Sequence, residues 1–165
     1  MDLFIPLGGE AKYMPIQITD IKLPERAASA ILSILESNNM PARLPTNDFQ
    51  DSYNCWGFTA WYLQWEADAR WLDGSMMEIY LAERTKPISK EDAKAGDIAI
   101  FRRGKYLTHT AVLLPGGDVV CHKPGGMALC IDTLENASCQ YGTVTYARVE
   151  KKRRKNLTIP RSVLL

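Results

Sequence analysis

The hydrophobic period of this chain changes once, at Pro87, and that change limits the available folds more than any other feature. Before Pro87, apolar residues recur at helical spacing; after it, β-branched and aromatic runs alternate with turn residues, as strands require. Helices first and antiparallel strands after make an α+β domain. A length of 165 residues suits one such domain, assigned to residues 1–150 with 151–165 as a tail. Hydrophobic residues at 46% and charged ones at 24% exclude a disordered or fibrous chain. No apolar run reaches the roughly 20 residues of a membrane-spanning helix.

In the helical half, Pro24 precedes Ala28, Ile31, Leu32 and Leu35, a one-sided stripe that ends at Asn38 and Asn39. Pro41, Pro45, Asn47 and Asp48 mark a loop up to Asn54, a good N-cap residue, so a second helix is predicted from Cys55. Its apolar residues fall on two sides through Leu72, which describes a central helix carrying all four tryptophans, with Asp73-Gly74 as its stop. Most of those tryptophans read as core, Trp56 being the exception assigned to the substrate side. Ser75 and Glu78 resemble a capping box opening a shorter helix through Arg84. Residues 1–22 show no clear period.

Five strands are predicted in the second half: Asp97 to Arg102, Thr108 to Leu114, Val119 to Lys123, Ala128 to Ile131 and Gly142 to Val149. Ile98-Ala99-Ile100-Phe101 is apolar throughout, as a strand covered on both faces would be. If Gly116-Gly117 is a two-residue turn, His122 opposes Ala111 and shares a sheet face with His109, while Cys121 points the other way. The two imidazoles are then diagonal neighbours with Cβ atoms roughly 7–8 Å apart.

Cys55 is placed at the first turn of the central helix, where free backbone N–H groups and the helix dipole stabilise an anion. With a nearby histidine, that position favours a reactive thiolate. The four cysteines form no Cys-x-x-Cys pair, so a disulfide framework is unsupported and a reducing compartment is expected. A zinc site from Cys121, His122, Cys130 and Cys139 is disfavoured because adjacent strand residues face opposite ways. No metal or cofactor is expected. Asp97 reads as a turn cap rather than a catalytic group.

These residues resemble the NlpC-type cysteine peptidases of the papain-like superfamily over residues 50–125. Asn54-Cys55-Trp56-Gly57-Phe58 resembles the nucleophile motif, Ala95-Gly96-Asp97-Ile98-Ala99-Ile100-Phe101 the strand after it, and His109-Thr110-Ala111-Val112-Leu113-Leu114 the general-base strand. His122 falls at the third polar position. The family usually has Asp before the cysteine and a small residue after it, where this chain has Asn54 and Trp56. The related Cys-His amidases of phage lysins more often carry Asn or Glu where His122 stands. The resemblance implies a papain-like fold with the cysteine helix packed on a mainly antiparallel sheet, and a triad of Cys55, His109 and His122. It also implies an oxyanion site from the Cys55 N–H and a second donor, for which Gln50 and Tyr53 are candidates.

The implied activity is hydrolysis of amides in peptidoglycan stem peptides. The alternative keeps the same thiol chemistry but acts on proteins, as a deamidase, protease or acyltransferase effector. Met1 to Glu10 lacks the pattern of a secretion signal, so synthesis in the cytoplasm is expected, followed by a specialised secretion route or release by lysis. Such a route would bring an immunity or delivery protein as partner. A non-catalytic binding module would rest on the tail, where Lys151, Lys152, Arg153, Arg154, Lys155 and Arg161 leave the body at −5 against a total of +1. Without aromatic interleaving or a nucleic-acid motif, that run reads as a solvated tail.

Overall fold

The computed structural model describes residues 2–7, 12–17, 25–45, 52–127 and 129–151. Strands β1 (Asp2–Leu7) and β2 (Lys12–Gln17) pair antiparallel in a segment where the sequence shows no period. Helix α1 (Glu25–Ser37) ends where predicted: Asn39 takes a left-handed φ of 53° and the Met40 N–H returns to the Leu35 carbonyl at 2.9 Å. Helices α2 (Cys55–Tyr62) and α3 (Gly74–Arg84) follow, then β3 (Thr85–Ile88), β4 (Ile98–Arg103), β5 (Tyr106–Leu113), β6 (Val119–His122), β7 (Cys130–Thr133), α4 (Leu134–Tyr141) and β8 (Thr143–Val149).

Six of these strands form one sheet in the order β3-β8-β4-β5-β6-β7, every neighbour antiparallel. One strand more than expected arises because β3 adds to the edge beside β8. Packing divides by strand alternation. On one face, Val112, Cys121 and Ile131 bury against Ile31 and Leu35 of α1 and Phe58 and Tyr62 of α2, while Ile98 and Ile100 bury against Met77 and Leu81 of α3. On the other, Ala99, Phe101, Ala111, Leu113 and Val120 meet Leu134 and Ala137 of α4. The run at 98–101 is therefore covered on both sides, as read.

The central helix is shorter than its apolar spacing suggests. It stops at Tyr62, where Gln64 adopts a φ of 61° and the chain closes a Schellman motif: Gln64 N–H bonds the Trp61 carbonyl at 3.0 Å and Trp65 N–H the Ala60 carbonyl at 2.8 Å. Only Trp56 and Trp61 lie on α2. Trp65 packs against Tyr80 of α3, with ring centroids 5.8 Å apart, and Trp71 is 55% exposed. Asp73 does not end α2 but caps α3, its carboxylate accepting from the Ser75 N–H at 3.0 Å, so the cap lies two residues before the expected Ser75. Helix α4 was not expected. Thr133 caps it through the Asn136 N–H at 3.1 Å, and Gly142 ends it at φ 108°, where a Cβ would sit 2.3 Å from the Arg102 carbonyl oxygen. Residues 152–165, most of the basic tail, lie outside the described residues, as does Ala128 at the expected start of β7.

Candidate active site

Asn54 builds the start of α2 from three hydrogen bonds. Its Oδ1 accepts from the Gly57 N–H at 2.9 Å and the Leu72 N–H at 3.2 Å, and its Nδ2 donates to the Leu72 carbonyl at 2.8 Å. One side chain thus caps the helix and ties it to the segment returning from Trp65 to Leu72. Gly57 is required by the same return, because a Cβ there would lie 1.7 Å from the Arg70 carbonyl oxygen. Cys55 is the first residue of the helix, as read, and is 7% exposed.

The β5–β6 hairpin has the expected register. The turn is not the two-residue Gly116-Gly117 turn expected: residues 115–118 form the loop, the Gly117 N–H bonds the Leu114 carbonyl at 3.4 Å around Pro115 and Gly116, and both glycines have positive φ, 97° and 78°. Val112 nonetheless pairs with Cys121 and Leu113 with Val120. The paired ladder ends there, and the histidines occupy the strand segments beyond it. His109 Nε2 and His122 Nδ1 are 2.7 Å apart with rings nearly perpendicular, at 87°. Both are essentially inaccessible. Tyr141 at the end of α4 stacks flat on His109, centroids 3.9 Å apart at 8°, and Phe101 lies 5.6 Å from the same imidazole.

Helix α2 meets this pair through Thr110, the residue after His109. Thr110 Oγ1 donates to Thr59 Oγ1 at 2.9 Å and lies 3.5 Å from the Cys55 carbonyl oxygen, and the Thr110 backbone N–H is directed at the Cys55 sulfur. The thiol also lies within electrostatic range of Tyr141, the ring stacked on His109. Burial pushes the Cys55 thiol up to about 11, against the opposing pull of the N–H groups of Thr110, Trp56 and Cys55 and the positive charge of Lys123. Burial, aided by the neighbouring His122, holds His109 well below the usual imidazole range. The expectation of a resting thiolate is therefore corrected: desolvation outweighs the helix N-terminus, and the resting site holds a neutral thiol and a neutral imidazole.

Of the other candidates, Gln50 lies outside the described residues. Tyr53 is buried, with the Lys123 ammonium 4.9 Å from its ring. Trp56 packs its indole against Gly74 and the α3 cluster rather than standing free to stack a ligand. Asp97 takes the structural role read for it, accepting from the Lys94 N–H at 2.9 Å and from two Arg148 guanidinium nitrogens at 2.9 and 2.8 Å. Three neighbours were not anticipated: Tyr141, Lys123 and Asp132. Lys123 is fully buried and donates to the Gly125 carbonyl at 2.7 Å. Asp132, on β7, places Oδ2 3.7 Å from His122 Nε2. The β6–β7 register could have found it, since His122 pairs with Cys130 and Asp132 is the next residue on that face.

Among the described residues no group of three or more His, Cys, Asp or Glu is arranged to hold a metal, and no helix is long and apolar enough to cross a membrane. A cavity of about 790 Å³ lies at the turn end of the hairpin, lined by Pro115, Asp118, Leu134, Glu135, Ser138 and Tyr146, and includes none of Cys55, His109 or His122. Its size does not make it the reaction site, because no nucleophile and base pair lines it.

The NlpC/P60 family profile matches residues 44–148. No curated protein matches the chain. Among solved structures, a similar-to-lipoprotein of the NLP/P60 family from Staphylococcus aureus subsp. aureus Mu50 aligns at 19% identity and a TM-score of 0.41. That alignment covers 79% of this chain and 44% of the other, so the chain spans less than half the length of that protein.

Proposed function

The chain belongs to the NlpC/P60 family, whose members are generally cysteine peptidases or amidases acting on peptidoglycan, and from that premise we propose that it hydrolyses amide bonds of peptidoglycan stem peptides with a Cys55-His109-His122 triad. The observation that carries this reading is the 2.7 Å contact between the two buried histidines beside the strand residue whose N–H faces the Cys55 sulfur.

Because thiol and imidazole are both neutral at rest, the proton leaves Cys55 as the sulfur–carbon bond forms. His109 takes it, and the sulfur adds to the carbonyl carbon. The Cys55 N–H and a second donor, Gln50 or Tyr53, hold the oxyanion. His109 then returns the proton to the leaving amine as the C–N bond breaks, leaving a thioester. Water, deprotonated by His109, releases the acid and restores the thiol. His122 orients His109 and stabilises its cation, as the third member of such triads does.

Incubating the full chain with muropeptides and, separately, with a protein mixture tests this by product mass. The expected result is addition of one water across a stem-peptide amide, absent in Cys55→Ala. Products from proteins alone would transfer the chemistry to a protein-modifying effector, and no product from either would overturn the assignment.

A further inference from the structure

We propose that Asp132 is a fourth, positioning member of the site: its carboxylate fixes the tautomer of His122, and through it makes Nδ1 of His109 the nitrogen that accepts the Cys55 proton. Its catalytic meaning rests on the triad just described.

The argument is one of donors and acceptors in a dry site. His122 reaches His109 through Nδ1, at 2.7 Å. Its other nitrogen, Nε2, is buried without a hydrogen-bond partner and faces Asp132 Oδ2 at 3.7 Å. That separation is beyond hydrogen-bond length, so the carboxylate acts as a fixed charge rather than as a bonded acceptor. A neutral imidazole carries one N–H. Were it on Nδ1, the Nε2 lone pair would face an anion where both residues are 3% exposed or less, at a cost that water does not screen. With the proton on Nε2, the N–H dipole points at the carboxylate. Nδ1 of His122 is then an acceptor, so the 2.7 Å bond must be donated by His109 Nε2–H. A neutral His109 so protonated has its lone pair on Nδ1.

The carboxylate is itself held in place. Asp132 Oδ1 accepts from the Thr133 N–H at 2.7 Å and from Asn136 Nδ2 at 3.0 Å, which leaves Oδ2 for His122. Burial raises the Asp132 carboxyl, but the nearby His122 ring and the hydrogen bonds from Asn136 and Thr133 together hold it below its ordinary value, so it is an anion at neutral pH. The groups around His122 are His109 on β5, Cys130 and Asp132 on β7, Tyr141 on α4 and Lys123 at the end of β6; of these, Asp132 carries the negative charge. When the Cys55 proton moves to His109 Nδ1, the cation formed is stabilised through His109 Nε2–H, His122 and Asp132. No further proton needs to move.

Asp132→Asn gives a directional test. Oδ1 is committed to two donors, so the new amide must turn its NH₂ toward His122 Nε2. That selects the opposite tautomer of His122, which then donates from Nδ1 and leaves His109 protonated on Nδ1, where it cannot accept from Cys55. Two-bond ¹H–¹⁵N correlation spectra of the histidine-labelled full chain, at a pH where both rings are neutral, read this directly. The expected result is the Nε2–H form for both histidines in the native protein and the Nδ1–H form in Asp132→Asn, with kcat falling about 100-fold or more and KM little changed. Asn136→Ala, which weakens the start of α4 but keeps the carboxylate, is expected to leave both tautomers unchanged. A native His122 protonated on Nδ1, or an unchanged tautomer in Asp132→Asn, overturns the proposal. The native spectrum suffices if the variant does not fold. Because the spectra need no turnover, they decide the role of Asp132 even if muropeptides and proteins are left uncut.

Discussion

Replacing Asn54 tests how Cys55 is held. Asn54 is 4% exposed and joins the first turn of α2 to Leu72 by the three bonds described. Asn54→Ala removes an N-cap, about 1 kcal/mol, and strands the N–H and carbonyl of Leu72, a further 1–3 kcal/mol or so. The expected loss is about 2–4 kcal/mol, read from urea unfolding followed by tryptophan fluorescence, with the m-value unchanged. Asn54→Asp, the residue more usual before the cysteine in this family, distinguishes donor from acceptor. A carboxylate keeps both N–H bonds and suits a helix N-terminus, but it cannot donate to the Leu72 carbonyl, 2.8 Å from Nδ2 in the native protein. Asn54→Asp is therefore expected to be less stable than the native protein at neutral pH in the same urea titration. A loss below about 0.5 kcal/mol in Asn54→Ala, the range of ordinary surface changes, would refute the bridging role.

Four other outcomes are expected. Iodoacetamide should reach the exposed Cys139 first, and Cys55 should alkylate at a rate that climbs with pH toward a midpoint near 11; a plateau below pH 8 would instead indicate a resting thiolate–imidazolium pair. His109 stays neutral in the fold well below 6.5, so under that pH the unfolded chain binds more protons and stability falls as pH drops, by up to about 1.4 kcal/mol per unit; His109→Gln should lose that part of the slope in parallel pH titrations of urea stability. Gly57→Ala drives a Cβ to 1.7 Å from the Arg70 carbonyl oxygen and should cost about 3 kcal/mol or more, whereas Gly126→Ala, with nothing within 4 Å, should stay within about 0.5 kcal/mol. In muropeptide turnover, the double change His109→Ala with His122→Ala should be hardly worse than His109→Ala alone, because the proposed mechanism makes the two one unit; multiplied losses would separate them.

The parts of this fold that sequence reveals are those with local chemistry behind them. The glycines between β-branched runs mark a tight reversal, and although the turn bond closes on Pro115-Gly116 rather than on Gly116-Gly117, the register is the one read and brings His109 to His122. The start of α2 was equally legible, since Asn54 is a capping residue acting on its own helix. Its end was not. A glutamine at the left-handed position gives no signal, and Trp65, Leu72 and their neighbours keep an apolar spacing because they pack back on the sheet and α3 from a loop. Helix α4 was hidden by its eight residues and weak apolar stripe, although Thr133 and Gly142 mark its two ends. The neutral thiol was illegible for a different reason: a helix N-terminus is a local feature, but burial is a property of the whole packed domain.

The order in which the site's parts lie along the chain bears on how the protein is made. Cys55 and the helix that presents it come well before Asp132 and Tyr141, the residues that face His122 and cover His109. At about 5–20 residues per second of translation, several seconds separate the synthesis of Cys55 from that of Asp132 and Tyr141. A ribosome-bound chain that stops after β6 contains Cys55, His109 and His122, the proposed triad, but neither the carboxylate nor the aromatic cover. Under the proposed chemistry, the site would be complete only late in synthesis, with the emergence of α4.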